Sequence, residues 1–144
     1  HWQWATEPND REKASFLKEN ILPMQEFGQL KFVEDGFDFF DIFYADGHTD
    51  AMMIPLLNYQ GRKMAFMADL LPSAGHIPMP YVMGYDTRPL LTLEDRKRFY
   101  KKAIAEDLYL FMEHDAQNEI ITLKDTEKGA RLNEVFTFQD VFDR

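Results

Sequence analysis

The chain has 144 residues, a length that suits one domain or part of a larger one. It has no cysteine, which excludes disulfides and thiolate metal sites, and 45% of its residues are hydrophobic, which is enough for a sizeable core. The formal net charge of −9 makes nucleic acid a poor partner, because that field repels a polyanionic backbone.

The N-terminal part of the chain predicts one helix. Asn9 and Glu12 have the spacing of a capping box, with Asn9 as the N-cap. Apolar residues then recur at helical spacing, so we predict a helix over residues 10–25. We expect this helix to end or bend near Pro23, and Gly28 is a stop signal beyond it.

Four short apolar runs follow, and each predicts a strand. They cover residues 30–34, 37–44, 51–59 and 63–70. Asp35-Gly36 predicts a turn between the first two runs, and the last two form a hairpin. The next segment, residues 71–89, holds four prolines and two glycines, so it predicts a long loop of the kind that often carries function.

The C-terminal part predicts a helix over residues 92–106 and three further strands. The strands cover residues 108–113, 119–124 and 133–138, with a turn at residues 125–129 between the last two. The predicted helix carries a basic run, which consists of Arg96, Lys97, Arg98, Lys101 and Lys102. We interpret this run as a solvated helix face, because the acidity of the whole chain disfavours the alternative of an RNA-binding patch.

This order of elements predicts a layered arrangement of the α/β or α+β class, with helices covering a sheet. No repeat, low-complexity tract or linker divides the chain, so we predict residues 1–144 to be a single unit. No apolar run reaches about 18 residues, which predicts no membrane span. No secretory signal is visible either, and we expect a cytoplasmic protein.

Three of the predicted strands end on a side chain that can bind a metal. These side chains are His48, Asp69 and His114. Imidazole and carboxylate are the ligand types of zinc-type hydrolytic centres, and three strand ends can converge on one point. Taken singly, each histidine is more often a hydrogen-bonded structural residue, and the aspartate is equally suited to accepting backbone N–H groups at a turn.

The segments around these residues resemble the later metal motifs of the metallo-β-lactamase-fold hydrolases. The motifs are Gly47-His48-Thr49, Ala68-Asp69-Leu70-Leu71-Pro72 and Glu113-His114-Asp115. Their order and spacing match that family over roughly the last hundred residues. The family's upstream hallmark, His-x-His-x-Asp-His, is absent. The resemblance therefore implies the C-terminal half of a four-layer αββα sandwich: an α+β fold with a mixed or antiparallel sheet and helices packed on it.

The resemblance also implies a role for each ligand. His48 would complete the shell of one zinc ion, His114 would complete the shell of a second, and Asp69 would bridge both as the residue nearest the chemistry. Because the three residues belong to two different shells, this chain alone would bind zinc weakly or not at all. With Asp50, this sequence departs from the proline that many members have after Gly-His-Thr.

Further residues near these motifs are candidates for supporting roles. Asp50 and Asp115 could orient the neighbouring imidazoles, although both also suit ordinary turns. In the proline-rich loop, His76, Tyr81 and Tyr85 are candidates for contacting substrate, and the alternative is that this loop only packs on the sheet.

Two functions from different classes follow. The first is a fragment of a zinc-dependent hydrolase that acts on an ester, lactone or related small molecule through a metal-activated water. The second is a non-catalytic half-domain that serves assembly. In both cases an exposed apolar sheet face predicts a homo-oligomer or pairing with the N-terminal half of the domain, with neither a nucleic acid nor a membrane as partner.

Overall fold

The computed structural model describes residues 1–35 and 37–143. By its internal contacts the chain divides into two compact units, His1–Phe39 and Phe40–Arg144. The organisation of residues 1–144 as one domain therefore stays a prediction. Within the described residues, no helix combines the length and the apolar character that crossing a membrane requires.

The N-terminal unit contains two short helices, α1 (Trp2–Thr6) and α2 (Lys18–Glu26). The prediction of one helix over residues 10–25 is wrong at its start. Pro23 also lies inside α2 and does not end it. The predicted strand over residues 30–34 is wrong as well, because residues 33–35 form a 3-10 turn. Gly36 of the predicted Asp35-Gly36 turn lies outside the described residues.

The side-chain hydrogen bonds predicted for Asn9 and Glu12 form, but α2 does not begin there. The side-chain oxygen of Asn9 accepts from the backbone N–H groups of Arg11 and Glu12, at 2.9 and 3.1 Å. The amide nitrogen of Asn9 donates to the Glu12 carboxylate at 2.6 Å. Consecutive turns follow, because the Glu12 carbonyl accepts from the N–H groups of Ser15 and Phe16, at 2.8 and 3.2 Å. The polar pattern that predicted a helix N-terminus therefore starts a run of turns, and the helix itself begins only at Lys18.

The second unit is built on one six-stranded sheet. Its strands are β1 (Asp41–Ala45), β2 (Met52–Tyr59), β3 (Arg62–Phe66), β4 (Tyr109–Phe111), β5 (Ile120–Lys124) and β6 (Arg131–Phe136). They are ordered sequentially, and every neighbouring pair is antiparallel except β3 and β4, which are parallel. Helix α3 (Pro89–Ala105) connects that parallel pair, and α4 (Phe138–Phe142) follows β6. The predicted α+β class with a mixed sheet is confirmed.

This topology sends three strands in the same direction. Because β1 and β3 are both antiparallel to β2, they are parallel to each other, and β4 is parallel to β3. Their carboxyl ends therefore meet at one edge of the sheet. The segments that carry His48, Asp69 and His114 leave the sheet at this edge.

Helix α3 covers one face of the sheet and forms the core with it. Phe99 of α3 meets Phe43 of β1 edge to face, with ring centroids 5.2 Å apart. Through the strand register the same face carries fully buried residues, which are Ala45, Ile54, Ala65, Leu110 and Ile121. Burial of each Ile or Leu side chain of this set stabilises the fold by about 1.5–3 kcal/mol.

The opposite face of the sheet is also apolar and is partly open to solvent. Phe66 and Phe111 stack across β3 and β4 with centroids 5.7 Å apart. Along β1 and β2, large side chains of this face remain exposed, with Tyr44 at 43% and Leu57 at 40%. Near α4, Tyr59 is 54% exposed while its ring contacts Phe142. Exposed apolar surface of this extent is typical of an interaction face.

Helix α3 begins at Pro89, three residues before the predicted start, because proline needs no N–H partner at the first helical position. The prediction that its whole basic run is solvated is wrong for Arg96, which is completely buried. The Arg96 side chain donates to the backbone carbonyls of Leu70, His76 and Tyr81. The loop after β3 would otherwise bury these acceptors without donors, and the guanidinium satisfies them.

Candidate metal centre

The three predicted ligands lie together at the edge of the sheet. The Nε2 atom of His48 is 3.5 Å from one oxygen of Asp69, and the Nε2 atom of His114 is 3.3 Å from the other. Asp69 therefore stands between two imidazoles and presents a different carboxylate oxygen to each. The sequence analysis predicted these three residues as a set, from their positions after apolar runs together with the order and spacing of the motifs.

The backbone around His48 is held by the start of α3. One carboxylate oxygen of Asp95 accepts from the N–H groups of Asp46 and Gly47, at 2.7 and 2.9 Å. The carbonyl of Gly47 accepts from the N–H of Arg88 at 2.9 Å. A β-carbon on Gly47 would lie only 2.1 Å from the backbone nitrogen of Thr92, so only glycine permits this close approach.

The imidazole of His48 is oriented by Asp86, a residue that the sequence did not single out. The Nδ1 atom of His48 lies 3.1 Å from one oxygen of Asp86, whose side chain is fully buried. The other Asp86 oxygen accepts from the N–H of Met83 at 3.1 Å. A His48 ring with its hydrogen on Nδ1 would donate to Asp86 and turn Nε2 toward Asp69.

Asp69 is placed by a sharp turn directly after β3. The preceding residue, Ala68, has a φ of +42°, in the left-handed region that costs a non-glycine residue roughly 1–2 kcal/mol. The N–H of Leu70 donates to the carbonyl of Met67 at 3.1 Å and closes the turn. Strain of this kind tends to persist where the surrounding structure enforces a functional geometry.

His114 lies in the connection from β4 to β5, and its side chain is 49% exposed. Asp115 beside it fastens this connection to the loop after β3, because its carboxylate accepts from the N–H of Ala74 at 2.8 Å. The same carboxylate accepts from the N–H groups of Gln117 and Asn118. Burial alone would raise the pKa of Asp115, but these hydrogen bonds outweigh it and lower the pKa to about 2.

The other predicted supporting residues have varied surroundings. Asp50 forms an ion pair with Arg88 at 2.9 Å. His76 lies within hydrogen-bond distance of the Ser73 hydroxyl, and burial and the nearby guanidinium of Arg96 together lower its pKa. The side chains of Tyr81 and Tyr85 are 60% and 80% exposed. The roles of these residues in orienting the imidazoles or contacting substrate remain predictions.

The donor chemistry at this edge fits a metal pair only in part. Two imidazole nitrogens and both oxygens of one carboxylate are suitable donors, and Asp86 gives His48 the outer hydrogen bond that metal-binding histidines usually have. Yet among residues 1–35 and 37–143 no group of three or more such side chains is arranged to hold one ion. Each imidazole faces its own carboxylate oxygen, as expected for two shells that share Asp69 and lack their remaining ligands.

Comparison with known proteins gives matches in structure. No protein-family model matches the chain, and no curated protein matches it by sequence. A probable metal-dependent hydrolase from Staphylococcus aureus shares 20% identity with a TM-score of 0.72, and the match covers 94% of this chain and 50% of that one. The hydrolase AbOPH of the beta-lactamase superfamily shares 17% identity with a TM-score of 0.72, over 95% of this chain and 51% of that one.

The third similar structure is AidC, described as a dizinc quorum-quenching lactonase. It shares 22% identity with a TM-score of 0.64, over 90% of this chain and 49% of AidC. This chain has the metallo-β-lactamase-like fold. It spans about half the length of each of the three structures, which is consistent with the predicted match to the C-terminal half of such a hydrolase.

Sequence reasoning missed two residues of this site, Asp86 and Asp95. Both are buried carboxylates that lie 38 and 48 residues from the groups they bind, His48 and the N–H of Gly47. One available signal was the position of Asp86 at the end of the proline-rich loop, shortly before a predicted helix. No periodicity or spacing relates either carboxylate to the motif around His48.

Proposed function

We propose that the chain supplies His48, Asp69 and His114 to a two-zinc hydrolytic centre that cleaves an ester, a lactone or a related small substrate. The observation that supports this proposal is the position of Asp69 between two imidazole Nε2 atoms, at 3.5 and 3.3 Å. The three similar structures are metal-dependent or beta-lactamase-superfamily hydrolases, and one is described as dizinc. Their identities of 17–22% support the fold, and the activity is our inference.

Each residue has a distinct task in this proposal. His48 and His114 would each supply an imidazole nitrogen to one of two zinc ions, and the Asp69 carboxylate would be shared between them. Paired zinc ions, when bound, lower the pKa of a water and polarise a carbonyl or phosphoryl oxygen. A protein nucleophile is then unnecessary, which agrees with a chain that has no cysteine.

The surrounding residues hold these ligands in place before metal arrives. Asp86 orients the ring of His48, and Asp95 holds the backbone beside it at Gly47. Asp115 ties the loop after Asp69 to the connection that carries His114. Preorganisation of this kind matters because a loosely held ligand set loses affinity for its metal.

The loop after Asp69 is the candidate substrate surface. The Arg96 side chain holds this loop by donating hydrogen bonds to the backbone carbonyls of His76 and Tyr81. The exposed rings of Tyr81 and Tyr85 offer apolar contact and hydroxyl groups to a small molecule.

The remaining zinc ligands have to come from outside this set, either from the N-terminal half of the domain or from another copy of the chain. The half-length match and the apolar sheet face around Tyr44 and Leu57 support a partner that packs on the sheet. We favour the N-terminal half, because the family resemblance assigns the missing histidines to it.

The same sheet face supports a second candidate function, a non-catalytic half-domain that serves assembly. In that case Asp69 would make only ion pairs with His48 and His114 when they are protonated. Metal affinity in the completed assembly distinguishes the two functions.

The experiment measures zinc affinity and turnover with and without a complementing N-terminal segment that carries the missing histidines. We expect weak zinc binding by the chain alone, by competition against a chromophoric chelator. We expect two zinc ions and ester or lactone hydrolysis in the complemented protein. His48→Ala, Asp69→Asn and His114→Ala should each abolish turnover, and chelation should do so reversibly.

His76→Ala serves as the matched control for metal binding, because it removes an imidazole that is outside the proposed ligand set. It should leave the zinc stoichiometry unchanged. Two tightly held zinc ions in the isolated chain would contradict the proposal that His48 and His114 belong to incomplete shells. A complemented protein that binds no zinc, or shows no metal-dependent turnover on a broad ester and lactone panel, would favour the half-domain.

A further inference from the structure

The loop after Asp69 carries a further imidazole outside the proposed ligand set, that of His76. Its Nδ1 atom lies 2.8 Å from the hydroxyl oxygen of Ser73. A hydroxyl can donate to Nδ1 or accept from it, so this contact satisfies either neutral tautomer of the ring. The Nε2 atom of His76 has no hydrogen-bond partner among residues 1–35 and 37–143, and the side chain is only partly buried. His76 therefore presents one ring nitrogen that is able to donate or to accept a proton.

The contact between Ser73 and His76 is not needed to close the turn that contains them. The backbone N–H of His76 already donates to the carbonyl of Ser73 at 2.9 Å, which forms the 3-10 turn of residues 74–76. The second bond, between the two side chains, fixes the direction of the imidazole. A ring held in this way is preorganised for contact with a bound molecule.

The backbone of this turn is fastened on both sides. Arg96 donates to the carbonyl of His76 at 3.2 Å, and the carboxylate of Asp115 accepts from the N–H of Ala74 at 2.8 Å. Asp115 directly follows His114 in the chain. The turn that carries His76 is therefore tied to the segment of one proposed zinc ligand.

The charged groups that act on the His76 ring are the guanidinium of Arg96, on α3, and the carboxylate of Asp86, at the end of the loop. Burial and Arg96 lower the pKa of His76, and Asp86 acts in the opposite direction. The ring is therefore mostly neutral at neutral pH. Asp86 is also the carboxylate that lies 3.1 Å from Nδ1 of His48. The influence of one carboxylate on both rings indicates that His76 lies near the segment of the other imidazole ligand as well.

We propose that His76, held by Ser73, transfers a proton to the leaving-group oxygen of the substrate during hydrolysis. This inference rests on the proposed function, because it requires a substrate bound at the edge that carries Asp69. It assigns a catalytic task to an imidazole that binds no metal.

Hydrolysis of an ester or a lactone leaves an alkoxide that must gain one proton. Hydroxide forms a bond with the carbonyl carbon, and the bond from that carbon to the leaving oxygen then breaks with its electron pair. Nε2 of His76 takes the proton of the added hydroxyl group and delivers it to the leaving oxygen. The products are a carboxylate and an alcohol, and the imidazole returns to its neutral form. General acid–base catalysis of this kind typically contributes about 10²–10⁴-fold to the rate.

Two esters of the same acid that differ only in their leaving group test this step. An ethoxide is strongly basic and needs the proton, whereas a p-nitrophenolate is stable as an anion and leaves without one. In the zinc-loaded complemented protein, we expect His76→Gln to lower kcat about 100-fold for the ethyl ester and less than about threefold for the p-nitrophenyl ester. Ser73→Ala should cause a smaller loss, limited to the ethyl ester. The zinc stoichiometry of both variants should equal that of the parent.

A second measurement needs neither zinc nor turnover. NMR titration of the ¹⁵N-labelled histidines in the 144-residue chain should give His76 a pKa below its usual 6.5. Ser73→Ala should shift the Nδ1 resonance of His76 and leave that of His114 unchanged. His1→Gln is the matched control, because it removes the histidine of the N-terminal unit, and it should change neither the kinetics nor the zinc stoichiometry.

Equal losses on the two esters in His76→Gln would overturn the proposal, because a merely structural role lowers both rates together. Three other results would also overturn it: an unchanged kcat for the ethyl ester, a loss of zinc from His76→Gln, or an Nδ1 resonance of His76 that Ser73→Ala does not shift. Absence of metal-dependent turnover in the parent would instead refute the proposed function, and this step with it.

Discussion

Replacing Gly47 by alanine tests how tightly the start of α3 holds the edge of the sheet that carries the candidate metal centre. The added β-carbon would lie 2.1 Å from the Thr92 nitrogen and 2.3 Å from its α-carbon. Both are backbone atoms, so no side-chain rotation relieves the contact. The helix would have to retreat by roughly 1.4 Å to restore an ordinary separation of about 3.5 Å.

The expected loss of stability follows from the hydrogen bonds that this movement of the helix would break. The Asp95 carboxylate holds the N–H groups of Asp46 and Gly47 at 2.7 and 2.9 Å, and a shift of that size lengthens both bonds beyond useful range. Overpacking of a core typically costs about 1–3 kcal/mol, and a hydrogen bond to a charged group contributes about 1.5–3 kcal/mol. We expect Gly47→Ala to lower the free energy of unfolding by about 3–5 kcal/mol in total.

Urea unfolding followed by circular dichroism measures this loss directly. Gly84→Ala is the matched control, because a β-carbon there meets nothing within 4 Å, and it should stay within about 0.5 kcal/mol of the parent. A Gly47→Ala variant as stable as the Gly84→Ala control would refute the packing of α3 against this strand end.

Four further changes have defined outcomes. Asp86→Asn should weaken zinc binding by the complemented protein about 10–100-fold in chelator competition, and unchanged affinity would contradict its orienting role. The pKa of Asp115 is lowered to about 2 from 3.8, so its stabilisation is present above pH 4 and disappears as the pH falls through about 2. In Asp115→Asn the free energy of unfolding should lack this dependence on acid pH. The variant should be about 1 kcal/mol less stable than the parent at neutral pH, a value already reduced for solvent screening. Burial raises the pKa of Tyr100 from 10 to about 12. The contribution of its neutral phenol to the free energy of unfolding is therefore fully present below pH 10 and is lost as the pH rises through 12. Tyr100→Phe should flatten this alkaline loss, whereas Tyr85→Phe at an exposed position should preserve it. Leu57→Lys on the open sheet face should reduce self-association in sedimentation, and an equally associated variant would exclude that face as the contact.

The elements most accurately predicted from sequence are those with strong local signals. Two apolar runs on either side of a glycine turn predicted the hairpin of β2 and β3. Apolar residues at helical spacing after the proline-rich loop predicted α3. The helix predicted over residues 10–25 was wrong at its start, because the side-chain bonds of Asn9 and Glu12 lead into a run of turns and the helix begins at Lys18. Local polar patterns support more than one backbone geometry, and tertiary context chooses between them.

The residues of the candidate site also differ in whether the sequence predicted them. His48, Asp69 and His114 were predicted as a set because each follows an apolar strand, and the shared direction of β1, β3 and β4 brings those ends to one edge. Asp86 and Arg96 could not be predicted. Their partners lie 15 to 38 residues away, and only the folded loop brings them together.

The sequence by itself determined which candidate ligands the chain offers: imidazole and carboxylate groups after predicted strands and no thiolate, with a net charge of −9. The order of apolar runs and helical periods also predicted a layered α/β or α+β fold, and the family resemblance narrowed this prediction to α+β. Only the tertiary structure decided which carboxylate orients His48 and which arginine is buried. Those features depend on contacts between residues distant in sequence, and side-chain burial is settled only when the elements pack.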